Sequence, residues 1–71
     1  MPSDRVSLTI NGEKLVFDHE PSIREVIERL GAPASAVAVE VNKTIVPKRS
    51  HEGHVLRDGD EVEVVTFVGG G

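Results

Sequence analysis

The sequence carries one well-formed helix signature, and almost everything on either side of it reads as strand. Ser22 and Glu25 stand three apart ahead of an apolar run, the spacing at which a hydroxyl and a carboxylate cap the donors that a helix start leaves unpaired. Ile23, Val26, Ile27 and Leu30 follow at i, i+3, i+4 and i+7, giving one apolar stripe with Arg24, Glu25, Glu28 and Arg29 opposite. Gly31 accepts the left-handed conformation that ends many helices, and Pro33 prevents the helix from resuming. A lone amphipathic helix among strands buries its stripe against a sheet, so a two-layer α+β domain is expected.

The strand signals supply that sheet. Val6, Leu8 and Ile10 alternate with Ser7 and Thr9, Asn11-Gly12 is a strong turn signal, and Leu15 and Phe17 resume the alternation, which predicts an N-terminal hairpin with Phe17 in the core. Val37, Val39 and Val41 predict a strand, Asn42-Lys43 a turn, and Thr44 to Val46 a short strand ended by Pro47. Residues 48–54 are polar and read as an irregular loop crossing the sheet edge. Asp58-Gly59-Asp60 marks a turn, and residues 61–68 are the strongest strand signal in the chain. Hairpin, helix and further strands in this order match a ubiquitin-like β-grasp: a mixed sheet of four to five strands, one helix on one face, and the last strand central beside the first. The domain is expected over residues 1–68, with 69–71 as a flexible tail.

At 71 residues, the chain buries only roughly 60% of its unfolded surface, which leaves no room for a deep internal active site. Chemistry is therefore expected at the surface. With no cysteine there is no thiol nucleophile, disulfide or thiolate metal site. A formal charge of -4 works against general nucleic-acid binding and favours steering toward basic protein partners. The start Met1-Pro2-Ser3-Asp4-Arg5 has no apolar signal region and no stretch approaches a membrane span, so a cytoplasmic protein is expected.

The candidate reactive feature is the ending Gly69-Gly70-Gly71. A bare glycine run is usually slack chain or a cloning scar. A scar normally follows a polar loop, whereas these glycines follow directly on a hydrophobic strand. Such a slim peptide can thread a narrow channel and present the Gly71 carboxylate unobstructed. On the preceding strand Val62, Val64 and Thr66 should face the helix, leaving Glu61, Glu63, Val65 and Phe67 on the outer face. Val65 and Phe67 are candidates for an apolar docking patch; alternatively, Phe67 covers the sheet end or packs under residues 48–54. Asp58, Asp60, Glu61 and Glu63 form an acidic cluster close to the tail, read either as a solvated face or as a surface for a basic partner. His51 and His54 superficially suggest a metal pair, but no third ligand accompanies them and Gly53 opposes helical display, so both are read as surface-loop residues. Lys43, Lys48 and Arg49 lack phosphate-loop spacing, so no metal and no nucleotide is assigned to the chain itself.

Asn42-Lys43-Thr44-Ile45-Val46-Pro47, His54, the run Leu56-Arg57-Asp58-Gly59-Asp60-Glu61-Val62-Glu63 and the ending Val65-Thr66-Phe67-Val68-Gly69-Gly70-Gly71 resemble the ThiS family of sulfur carriers in thiamine biosynthesis. The family's terminal Gly-Gly is matched by Gly70-Gly71, with Gly69 as an additional glycine. The resemblance implies a co-substrate rather than an enzyme. A ThiF-like adenylating enzyme would use ATP and magnesium to activate the Gly71 carboxylate. Sulfur derived from a cysteine desulfurase would convert it to a thiocarboxylate, and a ThiG-like thiazole synthase would receive that sulfur. The related MoaD family, which serves molybdopterin synthesis, shares the "DGDEVE" turn; its chains tend to be longer, with a proline-containing segment before Gly-Gly. A ubiquitin-like modifier and a non-covalent β-grasp binding module are the other readings of the same fold.

Overall fold

A computed structural model describes residues 5–33 and 36–67. Its elements are β1 (Val6–Ile10), β2 (Glu13–Phe17), α1 (Ile23–Leu30), β3 (Val37–Val41), β4 (Thr44–Val46) and β5 (Glu61–Thr66), with one 3₁₀ turn at Lys48–Ser50. The sheet has five strands in the order β2-β1-β5-β3-β4. β5 runs parallel to β1 and antiparallel to β3, while both hairpins are antiparallel. The last strand is therefore central and beside the first, as the pattern predicts. Both hairpins turn through positive φ: Asn11 at 51° and Gly12 at 83° in one, Asn42 at 50° and Lys43 at 70° in the other. These angles suit the right-handed twist of the flanking strands.

The core is built by alternation. Val6, Leu8 and Ile10 of β1, Val37, Val39 and Val41 of β3, and Val62 and Val64 of β5 are buried beneath Ile23, Val26 and Ile27 of the helix, and Phe17 joins them. Two expectations on facing change. Leu30, last in the helical stripe, is 40% exposed, at the position where Gly31 ends the helix. Thr66 shares the parity of Val62 and Val64 but is exposed, at the last position of β5.

Residues 48–54 are more ordered than a crossing loop, and His51 is not a surface residue. It is 6% exposed, and its Nε2–H donates to the Val46 carbonyl at 3.1 Å. The physical reason lies at the start of the helix. The Ser22 N–H donates to Glu25 Oε1 and the Glu25 N–H to Ser22 Oγ, completing the capping box. The Ile23 N–H donates to the His54 carbonyl at 3.0 Å and the Arg24 N–H to the His51 carbonyl at 3.2 Å. Every orphan donor of the first turn thus has a partner. Pro21 accepts from Leu56 N, tying the same segment to the residues just ahead of the helix. At the other end Gly31, at φ 73°, closes a Schellman motif: its N–H reaches the Glu28 carbonyl and that of Ala32 reaches Ile27.

Asn11 secures the central strand. Its backbone N–H donates to the Val62 carbonyl at 2.9 Å. Its carboxamide then accepts from the Val64 N–H at 2.8 Å and donates to the Val64 carbonyl at 3.2 Å, standing in for one more residue of β1. Asn11→Gly keeps the positive φ and deletes only the carboxamide. It is expected to lower unfolding free energy by about 1–3 kcal/mol, the cost of unpairing such groups, read as a fall in the urea midpoint with unchanged slope.

His19 bridges Asp18 (Nδ1 to Oδ1, 2.7 Å) and Glu25 (Nε2 to Oε2, 2.6 Å). Ionised carboxylates only accept, so both bonds together require the imidazolium. Hydrogen bonding to Asp18, then to Glu25, raises His19 above its ordinary 6.5, while bonding to His19 lowers Asp18 from 3.8 and Glu25 from 4.5. A raised histidine stabilises fully below 6.5 and loses that contribution as pH rises through its folded value; the lowered carboxylates lose theirs on acidification. Stability relative to His19→Gln is therefore expected to be greatest between about pH 5 and 6.5 and to fall above it. All three groups are exposed, so added salt should shrink the difference in thermal midpoint.

Candidate functional site

The odd-numbered residues of β5 turn away from the helix onto the outer sheet face. The β3–β5 register sets Ala38 opposite Val65 and Glu40 opposite Glu63, and β4 brings Ile45 opposite Glu40. The exposed apolar side chains of this surface are Val65 at 53% exposure and Phe67 at 62%, at one end, and Ile45 at 69%, across β3 in the Glu40–Glu63 row. Phe67 does not pack under residues 48–54; its N–H donates to the Ala36 carbonyl at 2.8 Å, holding the chain to the β3 side to the last described residue. Gly69, Gly70 and Gly71, which carry the sequence-based assignment, lie outside the described residues.

Glu40, Glu61 and Glu63 make the acidic part of the face, around an open hollow of about 430 Å³ that Lys43 and the Asn11-Gly12 turn also line. Glu40 and Glu63 sit directly opposite on neighbouring antiparallel strands, where like charges destabilise. Asp58 and Asp60 have other work. Asp58 Oδ1 accepts from the Ser7 N–H at 2.7 Å, and Asp60 accepts from the Arg57 N–H at 2.9 Å and from Asn42 Nδ2 at 3.1 Å. They close the turn into β5. An extended strand advances about 3.3 Å per residue, so this turn lies roughly 20 Å from Phe67, and the acidic cluster read as close to the tail divides in two. Ala38 and Glu40 escaped the sequence reading because only strand register brings them beside β5, and Ile45 because only register sets it opposite Glu40; the alternation ending at Pro47 was the available signal for Ile45.

Among the described residues no group of three or more His, Cys, Asp or Glu side chains is arranged to hold a metal ion, and no helix is long and apolar enough to cross a membrane. No buried side-chain nitrogen or oxygen among them lacks a partner.

A five-stranded mixed sheet with β5 central and one helix across it defines a ubiquitin-like β-grasp domain. The chain belongs to the ThiS family, whose model matches residues 4–71. It is similar in structure to the thiamine biosynthesis protein ThiS of Geobacter metallireducens, with a TM-score of 0.77, 32% identity, and coverage of 93% of this chain and 100% of that one. It is 28% identical over 50 residues to the sulfur carrier protein ThiS of Escherichia coli, covering 70% of this chain and 76% of that one. It is also 41% identical over 66 residues to a thiazole synthase of Paramagnetospirillum magneticum, covering 93% of this chain but 20% of that protein, so the chain spans one fifth of that relative's length. The family is one of sulfur carriers in thiamine biosynthesis, and ThiS is a carrier rather than an enzyme.

The opposed glutamates give a direct test. Glu63→Gln is expected to raise stability by about 0.2–1 kcal/mol, seen as a higher urea midpoint, by relieving repulsion from Glu40. The same change should slow association with a basic partner at low salt, measured by stopped flow, and the difference should vanish as salt is raised.

Proposed function

We propose that the Gly71 carboxylate is adenylated and then converted to a thiocarboxylate that supplies sulfur for thiazole formation. The observation that best supports this reading is the anchoring of β5, held by β1 and β3 and leading directly into Gly69-Gly70-Gly71 with Val65 and Phe67 exposed beside the exit. A carboxylate is a poor acyl donor. Attack by its oxygen on the α-phosphorus of ATP, with magnesium-bound pyrophosphate leaving, makes AMP the later leaving group. A persulfide sulfur derived from a cysteine desulfurase then displaces AMP, and a thiol cleaves the resulting sulfur–sulfur bond to leave the thiocarboxylate and a disulfide.

The domain's part is recognition. Val65, Phe67, Glu61 and Glu63 are the surface offered first to a ThiF-like adenylating enzyme and then to a ThiG-like thiazole synthase, and Gly69 and Gly70 are the slender arm that reaches their sites. Docking turns a diffusive encounter of the sulfur into an oriented one. ATP and magnesium belong to the activating partner, and the cytoplasm is the compartment this reading assigns. The likeness to a thiazole synthase in a separate organism supports that acceptor over a molybdopterin precursor.

Incubation with a ThiF-like enzyme, ATP, magnesium and a persulfide source, followed by intact-mass measurement, tests this. The expected product has gained the mass difference of one oxygen exchanged for sulfur, and deleting Gly70-Gly71 is expected to abolish it with the urea midpoint unchanged. Conjugates of higher mass would instead identify a modifier, and an unchanged mass a non-covalent module.

A further inference from the structure

The even-numbered residues of β5 turn their backbone groups toward β1, and that side is only partly filled. β1 pairs with β5 at Thr9↔Glu61 and Ile10↔Val62, and Asn11 satisfies Val64 through its carboxamide. The chain then turns at Asn11-Gly12 and leaves along β2, while β5 continues. Thr66 is the next even residue. On the opposite side the ladder runs the full length of β5, to Val37↔Thr66 and the bond from Phe67 N to Ala36. Among the described residues, nothing accepts from the Thr66 N–H or donates to its carbonyl. Among the described residues, the middle strand of the sheet therefore has an open edge at Thr66.

Sheet edges are ordinarily blunted. β2, at one end of the sheet, begins with Glu13-Lys14; β4, at the other, is three residues long and stops at Pro47. The gap beside Thr66 has no such device: Val65-Thr66-Phe67 is uncharged, proline-free and strand-forming. Glycines present no side chain, so a protein that recognises Gly69-Gly70-Gly71 reads main-chain donors and acceptors. Adding a strand to an existing edge is the recognition mode that supplies these in register, with flanking side chains giving specificity.

We propose that an extended segment of the adenylating partner adds to the sheet at Thr66, filling the place β1 vacates. This rests on the carrier reading. The strand fixes the register of the tail, so that Gly71 reaches the nucleotide at one depth, and Val65 and Phe67 enter the partner's pockets from the outer face.

Amide hydrogen exchange of the unmodified chain, alone and with a ThiF-like enzyme, ATP and magnesium, tests the proposal. The Thr66 amide should exchange faster than that of Val65 in the free chain and become protected in the complex. Thr66→Pro removes only an N–H that no described residue accepts from, at the kind of open-edge position where proline is tolerated. It should keep its urea midpoint yet bind about three- to tenfold more weakly than Thr66→Ala, the factor expected for one backbone hydrogen bond. An unprotected Thr66 amide while Gly71 is adenylated overturns strand addition and leaves the carrier reading intact. Absence of both complex and adenylate overturns the two together. Should Thr66→Pro unfold, the exchange of the unmodified chain decides.

Discussion

The pairing of β5 between β1 and β3 is the interaction on which the rest of the molecule depends. Val62 and Val64 put the middle of the core under the helix, while the alternate residues build the outer face. The strand is held by regular ladder bonds on the β3 side and by a side-chain substitute on the β1 side, where the Asn11 carboxamide pairs with Val64. A parallel pair formed from the first and last segments of a chain is a long-range closure, costly in chain entropy. The acidic turn ahead of β5 helps to secure it, with Asp58 gripping the Ser7 amide and the Gly59 N–H meeting the Ser7 carbonyl.

Stability and recognition pull against each other on the outer face. Opposed glutamates at 40 and 63 and exposed apolar side chains at 45, 65 and 67 are choices a surface selected for folding alone would avoid. They lie on one outer sheet face, on β3, β4 and the segment that precedes the glycine ending, the face proposed above as the docking surface. Local departures from folding rules that coincide with a working surface are the pattern expected of functional sites.

Much of the fold was legible in the sequence because it depends on short-range signals. The Ser22 and Glu25 box, Gly31 and Asn11-Gly12 act within a few residues, and the alternation at residues 6–10, 37–41 and 61–65 names its own buried face. What was hidden depends on register or on tertiary capping. Asp60 and Glu63 are neighbours in sequence but serve a turn and a sheet face; Glu40 meets Glu63 only when β3 and β5 pair. His51 reads as a polar loop residue because its buried ring and its bonded carbonyl both answer to partners that no local pattern announces.

The start of α1 bears on where a phosphate group could be held. A helix N-terminus is a common cradle for phosphate because its backbone donors point outward unpaired. Here those of Ser22 through Glu25 are spent on Glu25, His54, His51 and Ser22. The positive pole of the helix is already occupied by the chain's own oxygens, and a nucleotide would find no vacant donors there. This end of the domain serves to hold the fold together, and in the carrier reading proposed above the handling of phosphate would fall to the adenylating partner.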